Sequence, residues 1–129
     1  MSTFDKVLDF INTSGIDIPD FSFLTPYPGT DLHKRKAREA SIVYNHYPED
    51  WDKYCEMEIP MKPKKITASQ LVRGLDYITG KRFAPYAICT QFFRTLFSTR
   101  GLVTALICLR ENILFRKFYR QSRKDVYEI

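Results

Sequence analysis

The sequence predicts an α+β chain: a helix–strand–helix segment, an irregular middle, and a mostly helical C-terminal part of three helices. Three observations predict it. Phe4, Val7, Leu8 and Ile11 recur at helical spacing near the start. Phe21–Thr25 then forms a short apolar run that stops at two prolines and a glycine, as a strand covered on both faces would. From Thr67 onward, apolar stripes with helical period alternate with glycine and proline breaks.

The first helix is justified at both ends. Ser2 and Asp5 have the spacing of a capping box, in which hydroxyl and carboxylate each satisfy an orphan backbone N–H, and Gly15 can end the helix. After Pro19 the strand Phe21–Thr25 follows. Pro26 and Pro28 force extended geometry on Thr25 and Tyr27, and Gly29 is free to take a positive φ, so the chain leaves through a stiff turn. Thr30 caps a helix running to about Glu39. With His33, Lys34, Arg35, Lys36 and Arg38 on it, and only Leu32 and Ala37 suited to burial, it should lie outermost.

Ser41–Lys65 shows no sustained period, and a short strand is expected around Glu56–Ile59. Thr67 and Gln70 make a second capping box for a helix with the stripe Leu71, Val72, Leu75 and Ile78 and a stop at Gly80. Pro85 suits a first helical position, with Ile88, Cys89, Phe92, Phe93 and Leu96 as the buried stripe and a break at Gly101. Leu102 to about Arg120 forms the last helix on Leu106, Leu109 and Ile113. Its basic end, Arg116, Lys117, Arg120, Arg123 and Lys124, complements the helix dipole.

Composition narrows the function. The chain has 129 residues, 44% of them hydrophobic, which suffices for one core and leaves little for a second. The net charge of +5 is uneven. Residues 1–80 carry ten basic and twelve acidic side chains, whereas residues 81–129 carry ten and three. Cys55, Cys89 and Cys108 are widely separated, which argues against a disulfide framework, a zinc ribbon or a cluster loop and predicts a reduced, cytoplasmic chain. MSTFDKVLDF lacks the apolar core of a signal peptide, and GLVTALICL is about half the length of a spanning helix. His33 and His46 are too isolated to serve as metal ligands or as a nucleophile's base. No catalytic residue and no metal ligand is expected.

FDKVLDFI, GIDIPDFSFLTPYPGTDL, DWDKY and KPKKITASQL, in that order and followed by aromatic-basic helices, carry a further signal. From about residue 4 to residue 120 the chain resembles the C-terminal part of a radical S-adenosylmethionine enzyme of the type with an N-terminal cobalamin-binding domain. The resemblance implies that Phe21–Thr25 is a late strand of a partial (β/α) barrel. It implies that Leu24, Thr25, Pro26 and Tyr27 lie nearest the adenosyl part of the cofactor, with Gly29 and Thr30 turning into the next helix. Residues 1–66 are then the end of the barrel with its connector, and 67–129 a helical C-terminal extension that varies with substrate. In the parent family the cofactors are S-adenosylmethionine, a four-iron four-sulfur cluster and cobalamin, and the partners are the rest of the barrel and the cobalamin domain.

Departures from the family weigh as much. The CxxxCxxC loop and the early strands are missing, and Glu39-Ala40-Ser41 stands where relatives place a glycine. Reductive cleavage of S-adenosylmethionine needs a thiolate-held cluster, so no cofactor is expected in this chain alone and it is not expected to catalyse the reaction by itself. An unpaired edge at Phe21 and Phe23 predicts self-association. The alternative is a basic amphipathic module: Phe92, Phe93, Phe97, Phe115 and Phe118 interleave with Arg94, Arg110, Arg116 and Arg120, which suits an anionic membrane surface or nucleic acid. Nucleic acid is the less favoured, because the aromatic cluster Tyr44, Tyr47, Trp51 and Tyr54 lies among Glu49, Asp50 and Asp52, which repel phosphate.

Overall fold

The computed structural model describes residues 2–44, 46, 48–55 and 57–127, with the side chains of the last helix described through residue 122. Its regular elements are helices: α1 (Thr3–Thr13), α2 (Asp31–Arg38), a 3₁₀ turn (Trp51–Lys53), α3 (Ala68–Arg82), α4 (Pro85–Thr99) and α5 (Leu102–Tyr127). Among the described residues there is no strand and no sheet, and one isolated antiparallel bridge joins Ile42 and Met61. The α+β expectation and the partial (β/α) barrel are therefore overturned. Phe21–Thr25 is irregular, and its local bonds are made within the turn, from the Thr25 hydroxyl to Phe23 O (3.2 Å) and from Tyr27 N to Thr25 O (3.1 Å). Apolar content and proline punctuation make a segment strand-like, but a strand exists only where a neighbour completes its ladder. Tyr47, Glu56 and the side chains of Arg123 and Lys124 lie outside the described residues, and Met57–Ile59 form no strand.

The chain packs as two units, residues 1–20 with 73–129, and residues 21–72. In the first, α1 opens with the expected capping box: Asp5 N donates to the Ser2 hydroxyl (3.2 Å) and Ser2 N to the Asp5 carboxylate (2.8 Å). Tyr77 donates its hydroxyl to the same carboxylate, and these bonds hold the Asp5 carboxyl below its usual range. Phe4 lies against Gly74, where an added Cβ would come within 2.1 Å of the ring. Helix α3 runs through Gly80 to Arg82, and Pro85 then opens α4. The break before α5 falls where expected, with Arg100 taking the left-handed conformation (φ 52°) beside Gly101. Phe83, Phe115 and Tyr119 stack with ring centroids 5.5–6.1 Å apart.

The faces that α4 and α5 bury differ from the apolar stripes. Helix α4 buries Ile88, Gln91 and Thr95, while Cys89 and Phe93 are exposed. Helix α5 buries Ala105, Cys108, Asn112 and Tyr119, while Leu106 and Ile113 are exposed.

The second unit has little regular structure. Helix α2 starts on Thr30, whose hydroxyl accepts from His33 N, and buries no residue, as its charge predicts. It ends with Ala40 in the left-handed region (φ 48°) and Ser41 N bonded back to Lys36 O. Pro26 and Pro60 are fully buried, and Val43 N and Lys62 N donate to Pro60 O and Ser41 O, both at 2.8 Å. Tyr54 is buried with its hydroxyl on Tyr44 O. Asp50, buried, accepts from Lys53 Nζ (2.7 Å) and His46 N (3.0 Å), which lowers its carboxyl pKa. Thr67 and Gln70 form their reciprocal cap at the start of α3.

Candidate functional site

The residues read as cofactor-facing, Leu24, Thr25, Pro26 and Tyr27, do not share one environment. Leu24 is 63% exposed and Tyr27 is exposed, Thr25 is half-buried, and Pro26 is fully buried. The turn is rigid for identifiable reasons. Tyr27 O accepts both the Thr30 hydroxyl (2.6 Å) and Thr30 N (3.2 Å), and Gly29 sits at φ +86° with open space around it. Pro26 therefore anchors the turn, and Leu24 and Tyr27 are the side chains it offers outward. No carboxylate, imidazole or thiol stands among Phe21–Thr30, so this element can position a ligand but supplies no acid, base or thiolate.

A second arrangement was not legible as a site. Asp17, in the irregular link after α1, is bonded by side chains of α3, α4 and α5. Its Oδ1 accepts from Gln91 Nε2 and from the Thr95 hydroxyl, both at 2.6 Å. Its backbone oxygen accepts from Arg82 (3.0 Å), Asn112 (3.1 Å) and the Cys108 thiol (3.6 Å). Arg94 donates to Asn12 O and Ile16 O, and Tyr119 to the Asp20 carboxylate at 2.7 Å. Burial and the like charge of Arg94 push the Arg82 pKa down. Asn112 Oδ1 is buried and has no hydrogen-bond partner among the described residues. The signal in the sequence is polar residues at i, i+4 inside apolar helices, Gln91 with Thr95 and Cys108 with Asn112. This network fixes a stretch of chain. It contains no pairing of a nucleophile with a base.

Two concavities flank α4. One, about 330 Å³, opens between α1, α3 and α4 and is lined by Lys81, Arg82, Arg94 and Gln91 among others. The other, about 480 Å³, is an apolar groove on α4 and α5 made by Ile88, Phe92, Phe93, Leu109 and Ile113, with Arg116 beside it. Among the described residues no three His, Cys, Asp or Glu side chains come together as metal ligands, and no helix is long and apolar enough to cross a membrane. The cysteines do not fit an iron–sulfur cluster. Cys55 and Cys89 are exposed, and the buried Cys108 sulfur takes part in hydrogen bonds with Asn112 and Thr95.

Set beside known proteins, the chain is 33% identical over 118 residues to bacteriochlorophyllide d C-8(2)-methyltransferase of Chlorobaculum tepidum, a match covering 88% of this chain and 23% of that protein. It is 36% identical over 72 residues to bacteriochlorophyllide d C-12(1)-methyltransferase of the same organism, covering 56% of this chain and 14% of that one. The chain thus spans less than a quarter of the length of either relative. No family model matches it, and no solved structure matches it.

Proposed function

We propose that the chain is the C-terminal portion of a cobalamin-dependent radical S-adenosylmethionine methyltransferase and is not catalytic alone. The observation that carries this reading is the 118-residue match to a methyltransferase, which spans nearly the whole of this chain. The order of TPYPGT, DW and KPKK in the sequence supports it. In this reading Leu24, Thr25, Pro26 and Tyr27 adjoin the adenosyl group, with Pro26 holding the turn while Leu24 and Tyr27 make the contacts. Residues 67–129 are the substrate-dependent extension. The cluster and cobalamin belong to the remainder of the enzyme, where they supply reductive cleavage of S-adenosylmethionine and methyl transfer.

A chimera tests it. The chain replaces the matching part of the C-8(2)-methyltransferase, with cluster content and S-adenosylmethionine affinity measured before turnover. The expected result is a cluster-loaded chimera that binds S-adenosylmethionine, more weakly when Tyr27 is changed to Ala. A folded, cluster-loaded chimera with no affinity for S-adenosylmethionine contradicts the proposal.

A second reading rests on a different observation. Phe97 is 75% and Val103 71% exposed at the α4–α5 turn, with Phe93, Leu102, Leu106 and Ile107 also exposed and Arg100 and Arg110 nearby in sequence. A peripheral contact with an anionic membrane would cover this surface. Co-sedimentation with phosphatidylserine vesicles that weakens with salt and is lost in Phe97→Ser supports that reading, and equal binding to neutral vesicles opposes it.

A further inference from the structure

The cleft between α1, α3 and α4 is unusual in its charge. Lys81, Arg82 and Arg94 line it, and none of its lining residues among those described is acidic. Among the described residues, no ion pair involves any of the three. Arg94 is committed to two backbone oxygens, and Lys81 lies over the Tyr77 ring at 5.8 Å.

Arg82 is the informative member, because it is only 4% exposed. A guanidinium has five N–H donors, and a buried one is costly unless its charge and donors are met. Arg82 makes one hydrogen bond among the described residues, from Nη2 to Asp17 O. The Asp17 carboxylate does not pair with it and directs Oδ1 to Gln91 and Thr95 instead. Asn12 and Thr90 add polar groups to the lining, and Leu8, Ile11 and Tyr86 add apolar surface.

We propose that this cleft binds an oxyanion, a carboxylate or a phosphate carried on an apolar body, with Arg82 as the buried anchor and Lys81 and Arg94 at the rim. Charge-assisted bonds from Arg82 would engage the anion while its body lies on Leu8, Ile11 and Tyr86. The site goes beyond the proposed methyltransferase role and does not depend on it.

Titration of the isotopically labelled chain with inorganic phosphate and, separately, with benzoate tests the proposal by nuclear magnetic resonance. The expected result is saturable shifts at the Arg82 Nε–H and the Gln91 side-chain amide, with the tighter probe identifying the head group as phosphate or carboxylate. Lys81→Glu should weaken binding about tenfold, whereas the same charge change at the exposed Lys65 should leave it unaltered. Among the described residues, neither variant removes a side-chain hydrogen bond. No saturable shift at Arg82 with either probe, or equal weakening by Lys81→Glu and Lys65→Glu, would overturn the site.

Discussion

The two units of this chain are built on opposite plans. Residues 1–20 and 73–129 are held by bonds between parts of the chain far apart in sequence, with Asn112 reaching Asp17 across 95 positions. Residues 21–72 rely mainly on caps, prolines and turns between near neighbours, such as Thr30 on His33 and Ser41 on Lys36. The difference teaches that a helix face need not be apolar to be buried. Gln91, Thr95 and Asn112 face inward because the irregular link at Asp17 presents backbone and carboxylate oxygens that must be satisfied once water is excluded.

The contrast predicts where substitutions hurt most. Asp17→Ala leaves the buried Thr95 hydroxyl and Gln91 amide without their acceptor and should cost about 3 kcal/mol in urea denaturation. An unchanged midpoint would mean that water replaces the carboxylate at no cost. Gly74→Ala forces the Phe4 ring away from α3, and despite the better helix propensity of alanine it should destabilise by about 2 kcal/mol. Retained stability would show that Phe4 has an equally good resting place.

Effects in the second unit should be smaller. Thr67→Ala removes the hydroxyl that accepts from Gln70 N and should cost about 1 kcal/mol in thermal melts, with Thr67→Ser restoring most of it. Ala40→Gly has the opposite sign. Relief of the left-handed strain exceeds the added freedom of the unfolded chain, giving a gain of about 0.5 kcal/mol. A loss would show that Ala40 carries no strain.

Legibility followed the same division. The caps at Ser2, Thr30 and Thr67 were readable because a cap is encoded within four residues. The exposed, highly charged α2 was readable for the same local reason. Phe21–Thr25 was misread, because the pairing that makes a strand lies outside the segment itself. Hydrophobicity points Cys89, Phe93, Leu106 and Ile113 inward, yet the faces at Gln91–Thr95 and Cys108–Asn112 are the buried ones. Their partner, Asp17, lies in a short link that carries no motif of its own. Gly80 suits a helix stop by residue type, but a glycine ends a helix only where the backbone turns, and α3 continues to Arg82.

The dependence of the three C-terminal helices on Asp17 is tested most directly by a double-mutant cycle between Asp17→Ala and Thr95→Val, followed by urea denaturation. Thr95 is fully buried and its hydroxyl lies 2.6 Å from Asp17 Oδ1, so removing the donor should relieve much of the damage done by removing the acceptor. The expected coupling is about 1 kcal/mol or more, with the double variant more stable than the sum of the single losses predicts. Losses that add to within about 0.3 kcal/mol would contradict a network organised on Asp17.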